Sequence, residues 1–160
     1  MMVRLMSTFA AVVLLAGCAS APEKEVISTD TSSAPTAPSG PAADSTDYFK
    51  QVVGNTVIFD LDQYTLTTSS QRILKSQAAW LSQNPGRSVV VEGHCDERGT
   101  REYNLGLGDR RANSVKGYLV SLGVAPSRVR TVSYGKERPL CVASNESCWS
   151  KNRRGISAVK

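Results

Sequence analysis

Two charged side chains of opposite sign form the most informative pattern in the sequence. Asp96 follows an apolar run that ends at Gly93, and Arg111 interrupts an apolar stripe in the next segment. A guanidinium at the edge of a core needs a fixed anionic partner, because an unpaired buried charge is costly. Asp96 and Glu97 are the nearest candidates, so the spacing predicts that Asp96 lies beside Arg111. On spacing alone a structural ion pair and a binding pair both remain open, and the structural pair is the more common.

A thiol and an imidazole are adjacent at Cys95 and His94, which raises the alternative of a nucleophilic enzyme. Adjacent residues of a strand point to opposite faces, so direct proton transfer between the two is disfavoured. One histidine and one free cysteine also fall short of the three or four ligands of a zinc site. We therefore expect no catalytic residue, no metal and no cofactor, and we interpret His94 as a hydrogen-bonded residue beside a binding cleft.

Hydrophobic periodicity predicts the elements that must position these side chains. β-branched and aromatic runs predict strands at residues 55–60, 88–93, 129–134 and 155–159. Helical spacing and capping residues predict helices from Thr67 or Thr68 to Asn84 and from about Arg101 to Leu122. The order β-α-β-α-β-β predicts an α+β fold in two layers, with the helices on one face of a mixed sheet. The second strand is almost continuously apolar and is expected to be central.

The amino-terminal part of the chain has the composition of an export signal followed by a linker. Residues 1–17 combine a basic start with a short apolar run and small residues, which is typical of a secretory signal peptide. Residues 18–46 are rich in Ala, Pro, Ser and Thr and predict a flexible linker, since they cannot bury enough apolar surface to fold. Residues 47–160 have the size of one domain.

The tetrapeptide Leu15-Ala16-Gly17-Cys18 resembles the lipobox of bacterial lipoproteins. This resemblance implies cleavage before Cys18 and acylation of Cys18, and several acyl chains anchor a protein stably in a membrane. Ala19, where Asp would signal retention, implies sorting to the outer membrane. A secreted protein with an incidental cysteine is the alternative.

The folded part is basic and contains three further cysteines. From Ser45 onward there are 17 Lys and Arg against 10 Asp and Glu, and export leaves anionic wall peptides or lipids as partners rather than nucleic acid. Cys141 and Cys148 flank a short polar loop, so we predict a disulfide between them. Cys95 is then a free, buried thiol.

The segment from Asn104 to Val115 resembles the peptidoglycan-binding signature of OmpA-like domains, N-x-x-L-S-x-x-R-A-x-x-V. Five of its six fixed positions match, and Gly108 stands where the family usually has Ser. The segments 92–100, 132–139 and 151–154 are similar to the corresponding parts of the peptidoglycan-associated lipoproteins (Pal). The resemblance covers nearly all of residues 47–160 in order and implies an OmpA-like fold.

The resemblance also implies a ligand. In such domains the residues aligned with Asp96 and Arg111 bind meso-diaminopimelate of the wall peptide, so Asp96 is expected to hold its ammonium and Arg111 its carboxylate in a bidentate fork. In the empty site the two are expected to neutralise each other. The backbone N–H groups around Gly99 and Thr100, near the start of the helix, are expected to add anion contacts, and Asn104 is expected to add a further hydrogen bond.

The same resemblance implies a place in the cell envelope. It predicts a lipid-anchored outer-membrane protein whose periplasmic domain tethers the membrane to the wall, contacts TolB and serves the Tol-Pal system in envelope integrity and cell division. The alternatives are a wall-binding lipoprotein of another envelope system and an envelope hydrolase that uses Cys95 and His94. Arg153 and Arg154 are expected in a solvated basic turn before the last strand, with contact to the wall or to a protein partner as the alternative.

Overall fold

The computed structural model describes residues 40–160. The predicted signal peptide, Cys18 and residues 19–39 of the predicted linker lie outside these described residues. The elements in chain order are α1 (Thr46–Tyr48, continued by a wider helical turn at Phe49–Gly54), β1 (Thr56–Ile58), α2 (Thr68–Gln83), β2 (Val89–His94), α3 (Arg101–Ser121), a 3-10 turn (Pro126–Arg128), β3 (Val129–Gly135), α4 (Glu146–Asn152) and β4 (Arg154–Val159). The four strands and two long helices confirm the predicted order of elements.

The four strands form one mixed sheet in the order β1-β4-β2-β3. β2 pairs with β3 in parallel, and β4 lies antiparallel between β1 and β2. β2 is therefore central, as its apolar composition predicted. Because β4 runs opposite to both of its neighbours, β1, β2 and β3 point the same way, and their carboxyl ends meet at one edge of the sheet. The loops after β1 and β2 and the start of α3 lie together at that edge.

Capping residues fix where the long helices begin and end. The hydroxyl of Thr67 accepts the backbone N–H of Ser70 at 3.2 Å before α2, and the hydroxyl of Thr100 accepts that of Tyr103 at 3.1 Å before α3. Gly123 follows α3 with φ +95°, a left-handed conformation that glycine adopts without strain. Both helices therefore start and stop within two residues of the predicted positions.

The long helices cover one face of the sheet and bury a single apolar core. Its members are fully or almost fully buried and include Leu74, Leu81, Val89, Val91, Val115 and Leu119. The turn after α1 adds Phe49, whose ring lies 4.9 Å from that of Trp80, and the Trp80 indole donates to the carbonyl of Ala43 at 2.7 Å. Contacts with the domain thus begin at Ala43, inside the segment predicted as linker.

Between residues 40 and 160, none of the helices combines the length and the apolar character that a membrane crossing requires.

Candidate functional site

A pocket of about 360 Å³ opens where the carboxyl ends of β1 and β2 meet the start of α3. Asp96 and Arg111 both line this pocket. Its lining carries three guanidinium groups and two carboxylates, from Arg98, Arg111, Arg153, Asp62 and Asp96. The structure therefore brings the two residues singled out from the sequence to one open pocket, in a cationic environment.

Arg111 is fully buried and is held by backbone carbonyls rather than by a carboxylate. Its Nε donates to the carbonyl of Gln63 at 2.8 Å, Nη1 to that of His94 at 2.8 Å, and Nη2 to that of Asp60 at 3.0 Å. The prediction that Arg111 has an anionic partner is wrong, because three carbonyl dipoles at one sheet edge solvate its charge. Burial lowers the pKa of Arg111.

Most N–H groups of the Arg111 guanidinium already donate to acceptors within the protein. Nη1 also donates to the Cys95 Sγ at 3.4 Å, so four of the five N–H groups of Arg111 have acceptors among the described residues. One Nη2 hydrogen is left for a ligand. The predicted bidentate fork from Arg111 therefore requires one of these four contacts to break.

Asp96 forms its ion pairs with Arg98 and Arg153 rather than with Arg111. Oδ1 accepts hydrogen bonds from the backbone N–H of Arg98 at 3.1 Å and from its Nε at 3.2 Å, and Oδ2 accepts from Arg98 Nη2 at 2.6 Å and Arg153 Nη1 at 3.3 Å. Burial by itself raises the pKa of Asp96, but the hydrogen bonds from Arg98 and Arg153 outweigh burial and hold that pKa below its ordinary value. The predicted mutual neutralisation of Asp96 and Arg111 is therefore wrong, because Arg98 and Arg153 form the ion pairs with Asp96.

The loop between β2 and α3 is held in place by Asn104. The amide of this buried side chain donates to the carbonyl of Arg98 at 2.7 Å and to that of Thr100 at 3.0 Å, which leaves only its oxygen for a ligand. Gly99 lines the pocket with φ +85°. Thr100 uses its hydroxyl as the cap of α3 and is not among the residues that line the pocket, so a contact from its backbone N–H to a ligand stays a prediction.

His94 lies on the face of the sheet opposite to the pocket. Its ring is 2% exposed and 5.4 Å from the ring of Tyr134, and both ring nitrogens lack a hydrogen-bond partner among the described residues. The predicted place of His94 beside the cleft, and its predicted hydrogen bond, are corrected by this position. Only its backbone carbonyl faces the site, where it accepts from Arg111.

The buried imidazole makes stability depend on pH. Burial, and next the nearby Arg154, lower the pKa of His94 to about 4. The unfolded chain protonates this histidine near pH 6.5, so stability is complete above that pH and is lost as the pH falls towards 4. Between pH 7 and pH 4 the wild type should lose roughly 2–3 kcal/mol more than His94→Gln, because the variant has no such group. Urea unfolding of both proteins across this range measures the difference, and parallel losses would contradict the assignment.

Arg153 and Arg154 are buried, so the prediction of a solvated basic turn is wrong. Arg153 donates through Nε to the carbonyl of Phe59 at 3.1 Å, in addition to its ion pair with Asp96. Arg154 donates to the carbonyl of Arg138 at 3.2 Å. Arg153 is in contact with the loop after β1 and with helix α4, and Arg154 is in contact with the loop after β3. Arg153 is a site residue that sequence reasoning missed, although its place directly before β4 puts it at the same sheet edge.

The loop after β1 supplies the remaining wall of the pocket, which sequence reasoning also missed. Leu61 and Asp62 line the pocket opposite Tyr103, and the phenol of Tyr103 donates a hydrogen bond to the Asp62 carboxylate. Asp62 has φ +58°, the only positive value at a non-glycine residue within 40–160. Backbone strain of this kind is concentrated at binding sites, where the surrounding structure maintains it.

Cys95 is a free, buried thiol, as predicted. Its Sγ donates to the carbonyl of Asn104 at 3.3 Å, and burial raises the pKa of the thiol. A protonated thiol whose neighbouring imidazole points to the other face of the sheet lacks the activation that a nucleophile needs. The predicted disulfide between Cys141 and Cys148 is confirmed. No cluster of His, Cys, Asp and Glu in the described part of the chain is placed to hold a metal ion.

The sequence matches a known protein family. The OmpA family model matches residues 58–153, which is more than half of the chain. The chain belongs to the OmpA family. Within this family it is 43% identical over 145 residues to the peptidoglycan-associated lipoprotein of Rhizobium meliloti, an alignment that covers 91% of this chain and 81% of that protein. It is 51% identical over 107 residues to the protein of the same name from Mesorhizobium japonicum, covering 67% of this chain and 64% of the relative, which is less than two thirds of its length.

Solved structures of the OmpA family share the fold. The crystal structure of the peptidoglycan-associated lipoprotein from Burkholderia pseudomallei has a TM-score of 0.67 at 36% identity, covering 69% of this chain and 96% of that chain. The OmpA-like domain of FopA1 from Francisella tularensis has a TM-score of 0.58 at 21% identity over 66% of this chain and 69% of its own, and shows the fold alone. The predicted family and the predicted α+β fold are both confirmed.

The departure of this OmpA-family chain from the signature at Gly108 has a local explanation. A Cβ on Gly108 would overlap the hydroxyl of Ser133 on β3, and that hydroxyl donates to the carbonyl of Leu105 at 2.7 Å. The hydroxyl at this helix-to-sheet contact therefore comes from β3, and the helix position has to stay small.

Proposed function

We propose that this chain is a lipoprotein that binds peptidoglycan without catalysing a reaction, and that the pocket between Asp96 and Arg111 takes meso-diaminopimelate of the stem peptide. The observation that carries the proposal is an open pocket where a buried, ionised carboxylate lies among three guanidinium groups. Diaminopimelate presents an ammonium and a carboxylate on one carbon. Asp96 matches the first group and the arginines match the second.

Binding proceeds by an exchange of ion pairs at Asp96. Arg98 and Arg153 together donate four hydrogen bonds to this carboxylate. The side chain of Arg98 is 35% exposed and that of Arg153 is 7% exposed, so Arg98 is the partner that moves. Its guanidinium turns to the ligand carboxylate, while the ligand ammonium takes its place on Asp96. No buried charge is left unpaired, which lowers the free-energy cost of binding.

The proposal extends to the envelope through the family resemblance. Acylated Cys18 holds the chain in the outer membrane, the residues from 19 to 42 act as a flexible arm, and the domain that begins at Ala43 reaches the wall from the periplasmic side. TolB is the proposed protein partner, in a Tol-Pal system that supports envelope integrity and cell division. Co-purification of TolB with the lipidated chain from membranes tests this part, and its absence would favour another envelope system.

Replacing Asp96 by Asn should lower the affinity of the lipidated chain for purified peptidoglycan by more than tenfold. The variant removes the charge that receives the ligand ammonium, and losing one member of a close charge pair costs about 2–5 kcal/mol in binding. Sedimentation with wall sacculi in detergent measures the bound fraction, and free meso-diaminopimelate should compete with the wild type.

Asp109→Asn is the matched control, since Asp109 is an exposed carboxylate on α3, away from the pocket lining. Equal sedimentation of Asp96→Asn and Asp109→Asn would refute the site, while lack of competition would point to another wall epitope. New wall fragments that depend on Cys95 would revive the hydrolase alternative.

A further inference from the structure

Helix α4 braces both cations that hold Asp96. Glu146 accepts a hydrogen bond from Arg153 Nη2 at 2.5 Å, on the side of that guanidinium away from Asp96. Trp149, three residues further along α4, lies under Arg98, with 4.2 Å between the guanidinium carbon and the ring centroid. Residues three apart share a helix face, so α4 presents one carboxylate and one aromatic ring to the pair.

Trp149 also holds the loop that carries Asp96. Its indole N–H donates to the Glu97 carboxylate at 3.0 Å. Hydrogen bonds from Ser144 and Trp149 lower the pKa of Glu97, so its negative charge is kept next to Asp96. The segment from Ser144 to Trp149 therefore touches the residue before Arg98 as well as Arg98 itself.

The contacts of α4 with the two arginines depend on the Cys141–Cys148 disulfide. α4 has seven residues, and a helix of this length is not stable by itself. Asn152 fixes its end by accepting the backbone N–H groups of Leu140 at 2.8 Å and Cys141 at 3.1 Å, and the Cys141–Cys148 disulfide ties its middle to the preceding loop. Cys148 lies between Glu146 and Trp149 in the chain, so the disulfide fixes the part of α4 that contacts the arginines.

We propose that Trp149 and Glu146 are positioning residues for Asp96 and that the Cys141–Cys148 disulfide makes ligand affinity depend on redox state. This inference rests on the proposed function of the pocket. In the disulfide form, α4 holds Arg153 on Asp96 through Glu146 and keeps Arg98 over Trp149 at the pocket, where its guanidinium can pass from Asp96 to the ligand carboxylate. In the dithiol form, the helix loosens, the two guanidinium groups gain freedom, and Asp96 loses its fixed orientation.

The switching reaction is thiol–disulfide exchange with a dithiol reductant. A thiolate of the reductant attacks one sulfur of the bridge, its second thiol completes the exchange, and the products are two protein thiols and the oxidised, cyclic reductant. Two electrons pass from the reductant to the bridge, and the thiol protons of the reductant balance those of the new thiols. Cys141 is half-buried, which gives the reductant a route to the bridge, whereas Cys95 is buried.

The test measures wall binding by the full lipidated chain in its disulfide and dithiol forms. We expect reduction, and equally Cys141→Ser with Cys148→Ser, to weaken sedimentation with sacculi roughly tenfold, within the usual range for coupled sites. Trp149→Ala should weaken binding roughly fivefold, the effect of losing one cation–π contact, and Trp149→Phe should recover part of this loss. Lys151→Ala on the exposed side of α4 is the control and should bind as the wild type does.

A spectroscopic readout separates positioning from general destabilisation. NMR titration of the Asp96 carboxyl should give a higher pKa in the dithiol form and in Trp149→Ala than in the wild type, while circular dichroism stays unchanged for the long helices. Full wall binding by the reduced chain and the double serine variant would overturn the inference with the proposed function intact. Absence of binding by the disulfide form itself would instead overturn the proposed function.

Discussion

Replacing Arg111 by Met should lower the free energy of unfolding by roughly 3–5 kcal/mol, because three carbonyl groups inside the protein lose their hydrogen-bond donor. The guanidinium is the hydrogen-bond donor for the carbonyls of Asp60, Gln63 and His94. Met fills a similar volume but donates nothing, so these oxygens lose their partners inside the protein, at about 1–3 kcal/mol for each one that stays dry. Urea unfolding at pH 7 with the long helices as the probe measures the change.

Arg110→Met is the matched control, because Arg110 is the exposed neighbour on the same helix. It should unfold within about 0.5 kcal/mol of the wild type, as exposed substitutions usually do. Arg111→Lys should recover part of the loss, since an ammonium reaches some of the three carbonyls but lacks the planar fork. If Arg111→Met unfolded at the urea concentration at which the wild type unfolds, the hydrogen bonds from Arg111 to the three carbonyls would not be needed for stability.

For the same reason we expect Arg111 variants to lose stability as well as wall binding. A side chain that joins the loops after β1 and β2 to α3 supports the pocket whether or not it contacts a ligand. Loss of binding in an Arg111 variant is therefore compatible with either role. Asp96 variants test ligand binding more directly, because Arg98 and Arg153 keep their contacts with Trp149 and Glu146 when Asp96 is replaced.

Sequence periodicity and caps were sufficient for the main elements. The apolar run of β2 predicted a central strand, and the helical spacing along α2 and α3 predicted helices that bury one apolar face each; the structure has both. α4 was missed because its seven residues have the polar composition of a loop, and its stability comes from a disulfide and from tertiary contacts. The strand order was also beyond the sequence pattern, since pairing of β4 with β1 and β2 is a long-range property.

The common location of Asp96 and Arg111 was predictable from the sequence, but their hydrogen-bond partners were not. Asp96 and Arg111 do share a pocket, yet the acceptors of Arg111 are backbone carbonyls, and every residue type carries a carbonyl. No sequence motif reports where such a group points. The position of His94 was within reach: with Cys95 on the face towards α3, strand alternation puts the His94 side chain on the other face. Arg98 gave the weakest signal, since an exposed loop arginine usually has no defined partner.

Replacing Gly93 by Ala should destabilise the domain by roughly 3 kcal/mol, at the upper end of what overpacking usually costs. A Cβ on Gly93 would overlap the carbonyl oxygen of Gly108, so the clash is with the backbone of α3 and no side chain can turn aside. The central strand and the helix have to separate. Thermal and urea unfolding of Gly93→Ala at pH 7 measure the loss.

Gly117→Ala is the matched control, because Gly117 lies on α3, the helix that Gly93 approaches, and a Cβ on Gly117 meets no atom within 4 Å. Alanine there should stabilise the domain by about 0.5–1 kcal/mol, because it restricts the unfolded chain and favours helix. A loss of unfolding free energy in Gly93→Ala together with a gain in Gly117→Ala would locate the effect at the contact between β2 and α3. The same separation would move Arg111 away from the carbonyl of His94, so Gly93→Ala should also weaken wall binding while Gly117→Ala leaves it unchanged. Equal stability of the two variants would mean that α3 does not depend on the glycine of β2 for its approach to the sheet.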